Sequence, residues 1–257
     1  MLVFQALPAY MTNFERGSRV RLSRKSAVFL LSIPTILVFR PGAATRAQVT
    51  TEHPFIKPQE IKSGTCLICH ADKQEGKHVH SAVTAGCQNC HQVTSKNSAT
   101  TIVLRATGGQ LCAMCHEMES DPVLHVPYRD GQCMICHNPH TSNFPRQLRA
   151  DATTLCLSCH GANRPDVKIN QKLQKVSLLG NQTLSLAEYR QAPKLGLDST
   201  GTRNHPVMGH PIVGQDPRHK DTPLNCLSCH VPHSSTLANL LPPNVKNSKQ
   251  LCAECHP

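Results

Sequence analysis

Each of the fourteen cysteines belongs to a C-x-x-C pair, and each pair is followed at once by a histidine. The units are Cys66/Cys69/His70, Cys87/Cys90/His91, Cys112/Cys115/His116, Cys133/Cys136/His137, Cys156/Cys159/His160, Cys226/Cys229/His230 and Cys252/Cys255/His256. Two thiols three positions apart share one side of a helical turn. They can therefore form thioethers to the two vinyl groups on one edge of a haem, and the next residue carries its imidazole beneath the ring as an axial ligand to iron. Seven units would hold seven covalently attached c-type haems.

Two other chemistries use paired cysteines. Structural zinc takes C-x-x-C units but does not need a histidine after every one. With 16 histidines in 257 residues, the chance that all seven pairs precede one is on the order of one in a few hundred million. A disulfide framework suits an exported chain with an even cysteine count, yet it gives no reason for the histidines. Haem is the reading that uses every residue of the motif.

Seven irons with proximal histidines leave seven sixth positions, and nine further histidines are available: 53, 78, 80, 125, 140, 205, 210, 219 and 233. His80 and His125 recur at one repeat position, His53 and His210 at another, and His140 and His233 at a third. These six are the expected distal ligands. His78 is the expected seventh, with His205 and His219 in reserve. In an extended His78-Val79-His80 both rings fall on one side, so the two could serve different irons only across a twist. Neutral imidazole suits the role. Methionine would raise the potential, but Met114 and Met134 lie inside motifs and packing is the role expected of them. Bis-histidine sites of fairly low potential follow.

The elements that position these residues come in repeats. GKHVHSAVTAGCQNCH (76–91) aligns with PVLHVPYRDGQCMICH (122–137), placing Gly86 opposite Gly131, and MGHPIVGQ resembles TEHPFIKP. The expected fold is mostly irregular and small-α, with single-turn helices at the motifs and a haem-dominated core. The first five motifs start 21 to 25 residues apart, then 70 residues separate Cys156 from Cys226. The spacing divides the chain into a five-haem block (48–160), a haem-free insertion or linker (161–204) and a two-haem module (205–257). Within the insertion, VSLLGNQTLSL (176–186) reads as two strands around a Gly-Asn turn, and the rest as an irregular wrap.

Residues 1–47 read as an export signal: a basic stretch precedes the apolar AVFLLSIPTILVF, and small residues follow. Thirteen apolar residues interrupted by Pro34 are fewer than the roughly 20 of a membrane span, so cleavage is expected and an uncleaved anchor is the alternative. A periplasmic or extracellular location follows, with no stable membrane span after cleavage. The net charge of +11 invites a nucleic-acid partner. Seven of the 27 basic residues and one of the 16 acidic ones fall in the signal, leaving +5. Seven ferric haems with ionised propionates would bring the total to about −2, so no nucleic-acid partner is expected.

The phrases GQCMICHNPHTS and LNCLSCHVPHSS, each followed about twenty residues later by LC-x-x-CH, resemble the doubled-CXXCH multihaem cytochromes c. The resemblance covers 51–160 and 205–257. It implies little regular structure, closely packed haems and electron transfer to other redox proteins or membrane electron-transfer complexes. CLICHADKQ, CQNCHQVTS, CAMCHEME and CLSCHGAN depart from it in lacking the second histidine, so ligands for their neighbours must come from elsewhere. A carrier or conduit is the leading expectation. A multihaem reductase of a small oxyanion with one open haem is the alternative, as is a structural subunit of a haem filament or outer-membrane conduit.

Overall fold

The chain divides into two units, Met1–Ala47 and Gln48–Pro257. The computed structural model describes residues 53–162, 164–195 and 210–256 together with the backbone of 204–205, all in the second unit. The expected export signal lies outside the described residues, as does the end of the insertion.

Seven short α-helices are described: α1 (Ser63–Cys69), α2 (Ser81–Ala85), α3 (Gly109–Ala113), α4 (Val126–Arg129), α5 (Ala152–His160), α6 (Leu186–Gln191) and α7 (Ser248–Ala253). Odd-numbered motifs are entered through α1, α3, α5 and α7, whereas even-numbered motifs sit in single 3-10 turns at Cys87–Asn89, Cys133–Ile135 and Cys226–Ser228. At four of the motifs the sequence just before the first cysteine decides which. Asp151 and Asn247 each stand five residues ahead of Cys156 and Cys252, and their side chains accept from the N–H groups of Thr154 and Gln250 at 2.9 and 3.0 Å. A full helical turn is thereby capped before the first cysteine. Gly86 and Gly131 instead stand one or two residues ahead, at φ 141° and 66°, and a positive φ breaks any incoming helix.

Short strands join the repeats. His78–Val79 pairs antiparallel with Thr141–Ser142, Val123–Leu124 with Ser234–Ser235, and His210–Pro211 with Asn204–His205. His91–Lys96 and Ala99–Leu104 form a hairpin that turns at Asn97 and Ser98, both at positive φ. The short helices expected at the motifs are present, and short strands join them into a small mixed helix-and-strand fold. The physical reason is that backbone groups flanking each motif still need partners, and they find them in the neighbouring repeat.

The insertion is better packed than an irregular wrap. Lys168–Asn170, Lys175–Ser177 and Thr183–Ser185 form a three-stranded antiparallel sheet with the middle segment central. The hairpin turns at Gly180 and Asn181, both at positive φ. Val176, Leu178, Leu184, Leu186 and Tyr189 bury one apolar cluster, against which Ile135 and Cys159 of the fourth and fifth motifs pack. Around the other motifs the chain supplies only scattered buried apolar residues such as Val83 and Val245. Met114 and Met134 are left 56% and 46% exposed by the polypeptide.

Candidate metal centres

Six motif histidines each face the ring of one non-motif histidine. His70 faces His53 with ring centres 6.1 Å apart, His91 faces His140 at 6.1 Å, and His116 faces His80 at 6.0 Å. His137 faces His233 at 5.9 Å, His160 faces His125 at 6.1 Å, and His256 faces His210 at 6.1 Å. The separation is nearly constant although the angle between ring planes runs from 8° to 83°. Packing preference does not fix a distance while leaving the tilt free; a shared metal atom does. An imidazole–metal bond is about 2 Å, and the ligating nitrogen lies about 1 Å from its ring centre, which places two axial imidazoles about 6 Å apart. The donor set fits an iron held from two sides. The contrast is Tyr128 against His233, a packing contact with centres at 4.8 Å and planes 18° apart.

Hydrogen bonds choose the tautomer. The Nδ1–H groups of His137, His160 and His230 donate to the carbonyls of Arg146, Pro193 and Asn239, each at 2.8 Å. Those of His53 and His210 donate to the carbonyl of the following proline at 2.8 Å, and that of His80 to the Pro139 carbonyl at 3.1 Å. A carbonyl only accepts, so Nδ1 carries the proton and Nε2 presents a lone pair. Burial adds to this by holding the His91, His137, His140 and His160 rings below their ordinary pKa and His125 down to about 4. The neutral form is the one that ligates.

The doubled phrase x-Pro-His does three jobs at one place. His140 presents its ring to His91, its carbonyl accepts from the His80 N–H at 2.9 Å, and the preceding Pro139 carbonyl orients the His80 ring. His233 repeats the pattern, with His137 opposite its ring, the His125 N–H on its carbonyl at 2.9 Å, and the Pro232 carbonyl bonded to the His125 ring. The following Ser142 and Ser235, both buried, close the turn by accepting from the N–H groups of Phe144 and Leu237.

All fourteen cysteines are thiols without disulfides, their sulfurs standing for the thioether sulfurs of an attached group. Consecutive motifs bring sulfurs near one another: Cys66 lies by Cys87, Cys112 by Cys133, and Cys156 by Cys226. Burial, with Cys133 and Cys90 nearby, pushes the Cys112 thiol up to about 11; burial and Cys159 do the same to Cys136. Cys229 feels Cys255 and Cys252. The attachment points therefore follow one another in sequence order. Gly109 and Gly131 let the third and fourth come close, since a Cβ on Gly109 would lie 2.8 Å from the Gly131 Cα. Between the sixth and seventh stands Arg218, which donates to the Ser228 carbonyl and ion-pairs with Glu254 at 2.8 Å and with buried Asp216 at 3.3 Å.

The chain does not enclose every attachment point. Cys69, Cys115 and Cys252, all in odd-numbered motifs, are left exposed by the polypeptide. At Cys115 the reason is local. Helix α3 ends at Ala113, and Cys115 follows in a surface turn with its N–H on the Cys112 carbonyl at 3.1 Å. The segment from Ala113 to Ser120 is exposed throughout, so the third motif presents Cys112 to the fourth and Cys115 to the outside.

His78 forms none of the six pairs; it lies in a ladder opposite Ser142. His219 is exposed in the turn between Asp216 and Thr222. Sequence reasoning passed over Arg218 and Tyr128, for which the only signal was an isolated charge and an isolated ring. Among the described residues no group of three or more His, Cys, Asp or Glu gathers to hold a metal ion, and no helix is long and apolar enough to cross a membrane.

Three stretches of the chain, 80–121, 125–165 and 217–257, match the family model described as the doubled CXXCH motif. The first two open on His80 and His125. No curated protein and no solved structure matches the chain.

Proposed function

The chain belongs to the doubled CXXCH motif family of multihaem c-type cytochromes, and from that premise we propose that it is an exported heptahaem electron carrier with bis-histidine sites. The observation that carries the reading is the set of six histidine pairs, each joining one motif histidine to one non-motif histidine at 5.9 to 6.1 Å. Bound haem supplies a one-electron Fe(III)/Fe(II) couple.

The chain's residues do the rest. The cysteines fix seven attachment points in sequence order, which supports electron passage in that order. At six sites a motif imidazole and a non-motif imidazole stand face to face where they would hold an iron between them, which favours electron transfer over substrate binding there. Carbonyl acceptors hold the imidazole tautomer and tune ligand basicity. The scarcity of buried apolar side chains near the motifs supports a core made of haem. With propionates counted, the mature protein is close to neutral, and the natural partners are other redox proteins or membrane electron-transfer complexes. Export rests on the basic and apolar pattern of residues 1–47.

Mass spectrometry of the purified holo-protein should give seven attached haems on a chain cut near residue 47. The oxidised spectrum should be wholly low-spin, with no change on adding carbon monoxide after reduction or nitrite before it. A high-spin haem that binds either molecule would replace the carrier reading with the reductase one.

A further inference from the structure

At two even-numbered sites the sixth ligand obeys a backbone rule. The residue opposite the histidine that leads into the motif, in antiparallel register, is itself the second histidine. His140 stands opposite His80, one step beyond the Val79–Thr141 pair, and faces His91. His233 stands opposite His125, one step beyond Leu124–Ser234, and faces His137. The lead-in histidine serves the odd-numbered site that follows, His80 facing His116 and His125 facing His160.

His210 leads into the sixth motif and faces His256, so it fills the same place in the third repeat. The residue paired with His210 is His205. The even-numbered site there is built like the one before it: His137 and His230 both donate Nδ1–H to the carbonyl nine residues on at 2.8 Å. The N–H of the next residue also bonds a carbonyl nine residues on in both, Asn138 to Gln147 and Val231 to Leu240, each at 2.8 Å. A contrast comes from the first motif, whose lead-in serves an odd-numbered site alone. Opposite His53 stands Thr100.

We propose that the backbone position opposite the lead-in histidine is the sixth-ligand position of each even-numbered site, and that His205 therefore ligates the haem attached at Cys226 and Cys229. This rests on the heptahaem reading above. In the first two repeats the ligand arrives from the repeat that follows. In the third it arrives from the same repeat, on a strand laid back along the lead-in. The long interval between the fifth and sixth motifs then has a task, which is to return the chain so that this strand can form. His78, the seventh choice on sequence grounds, is left without a site.

The test uses the full exported holo-protein. His205→Ala should retain seven haems by mass while about one seventh of the haem turns high-spin, and added imidazole should restore the low-spin spectrum by taking the open position. His78→Ala and His219→Ala should remain wholly low-spin. In a chain whose sixth haem is prevented from attaching by Cys226→Ala and Cys229→Ala, His205→Ala should change nothing further. A wholly low-spin His205→Ala protein, or a high-spin haem in either control, overturns the assignment. Fewer than seven haems on the parent chain would instead overturn the heptahaem reading, and the assignment with it.

Discussion

Odd- and even-numbered sites obtain their second histidine by different routes. His80 and His116, or His125 and His160, lie within one repeat, and the helices α3 and α5 bring them together. His91 must wait for His140 and His137 for His233, each from the repeat that follows. An odd-numbered site is closed by its own repeat; in the first two repeats the even-numbered one is closed only when the next repeat has docked. In the proposed heptahaem form ligation would double as the fastening between repeats, in the way stacked repeats owe their stability to nearest-neighbour interfaces.

The largest effect should come from cutting that fastening. His140→Ala should turn one haem high-spin and also loosen the His78–Val79 ladder, lowering the unfolding midpoint by about 6 °C or more if some 3 kcal/mol is lost. His53→Ala, at an odd-numbered site, should give the same spectral change with at most half that shift. Equal shifts would show that the ladder adds nothing.

Next is the clamp between the sixth and seventh motifs. Arg218→Met strands the Asp216 carboxylate, 1% exposed, and removing one partner of a buried pair costs about 3 kcal/mol. Hydrogen bonding to Arg218 holds the Asp216 pKa down to about 2. A depressed folded pKa stabilises the fold above the unfolded value of about 3.9 and is lost as pH falls toward 2. Acid unfolding followed by haem absorbance should therefore begin at a higher pH in Arg218→Met than in the parent.

Gly131→Ala should cost about 1 to 3 kcal/mol, because φ is 66° and the new Cβ would sit 3.0 Å from the Gly109 nitrogen. Gly86→Ala should cost at least as much, because φ 141° is a conformation only glycine adopts readily and the new Cβ would meet the Ser63 hydroxyl at 3.1 Å, which already accepts from the Cys87 N–H; thermal melts of the two variants check the order.

The smallest effect is expected at Tyr128. Tyr128→Leu removes the ring stacked on His233, a contact worth about 1 kcal/mol, and should alter the fourth site's paramagnetic resonance signal while leaving it low-spin. In the same experiment the His210–His256 site, with planes at 83°, should stand apart from the near-parallel His91–His140 site, because perpendicular axial rings leave the iron orbitals nearly degenerate.

Much of the candidate site is legible in the order of residues. The cysteines and proximal histidines follow from spacing, and recurrence singles out His53, His80, His125, His140, His210 and His233, each of which the fold sets opposite a motif histidine. Recurrence cannot say which iron each histidine faces, because that depends on strand register between residues about 60 to 110 positions apart. It also favours His78 over His205, since a His-Val-His phrase is visible locally and a ladder partner is not. Spacing likewise treats all fourteen cysteines alike, whereas the exposure of Cys115 depends on where α3 ends. The insertion differs from its expected form for a related reason: its hairpin is readable from Gly180 and Asn181, but the burial of Leu186 and Tyr189 needs a helix folded back onto the sheet.

What the sequence alone determined is the covalent chemistry. Thioether attachment and proximal ligation join neighbours within five residues, so local spacing specifies them completely. What only the tertiary structure decided is the pairing of the far face, which repeat closes which site and in what order the attachment points meet. Those choices belong to backbone ladders between distant segments, where each pair of partners is fixed by register and no single residue announces it.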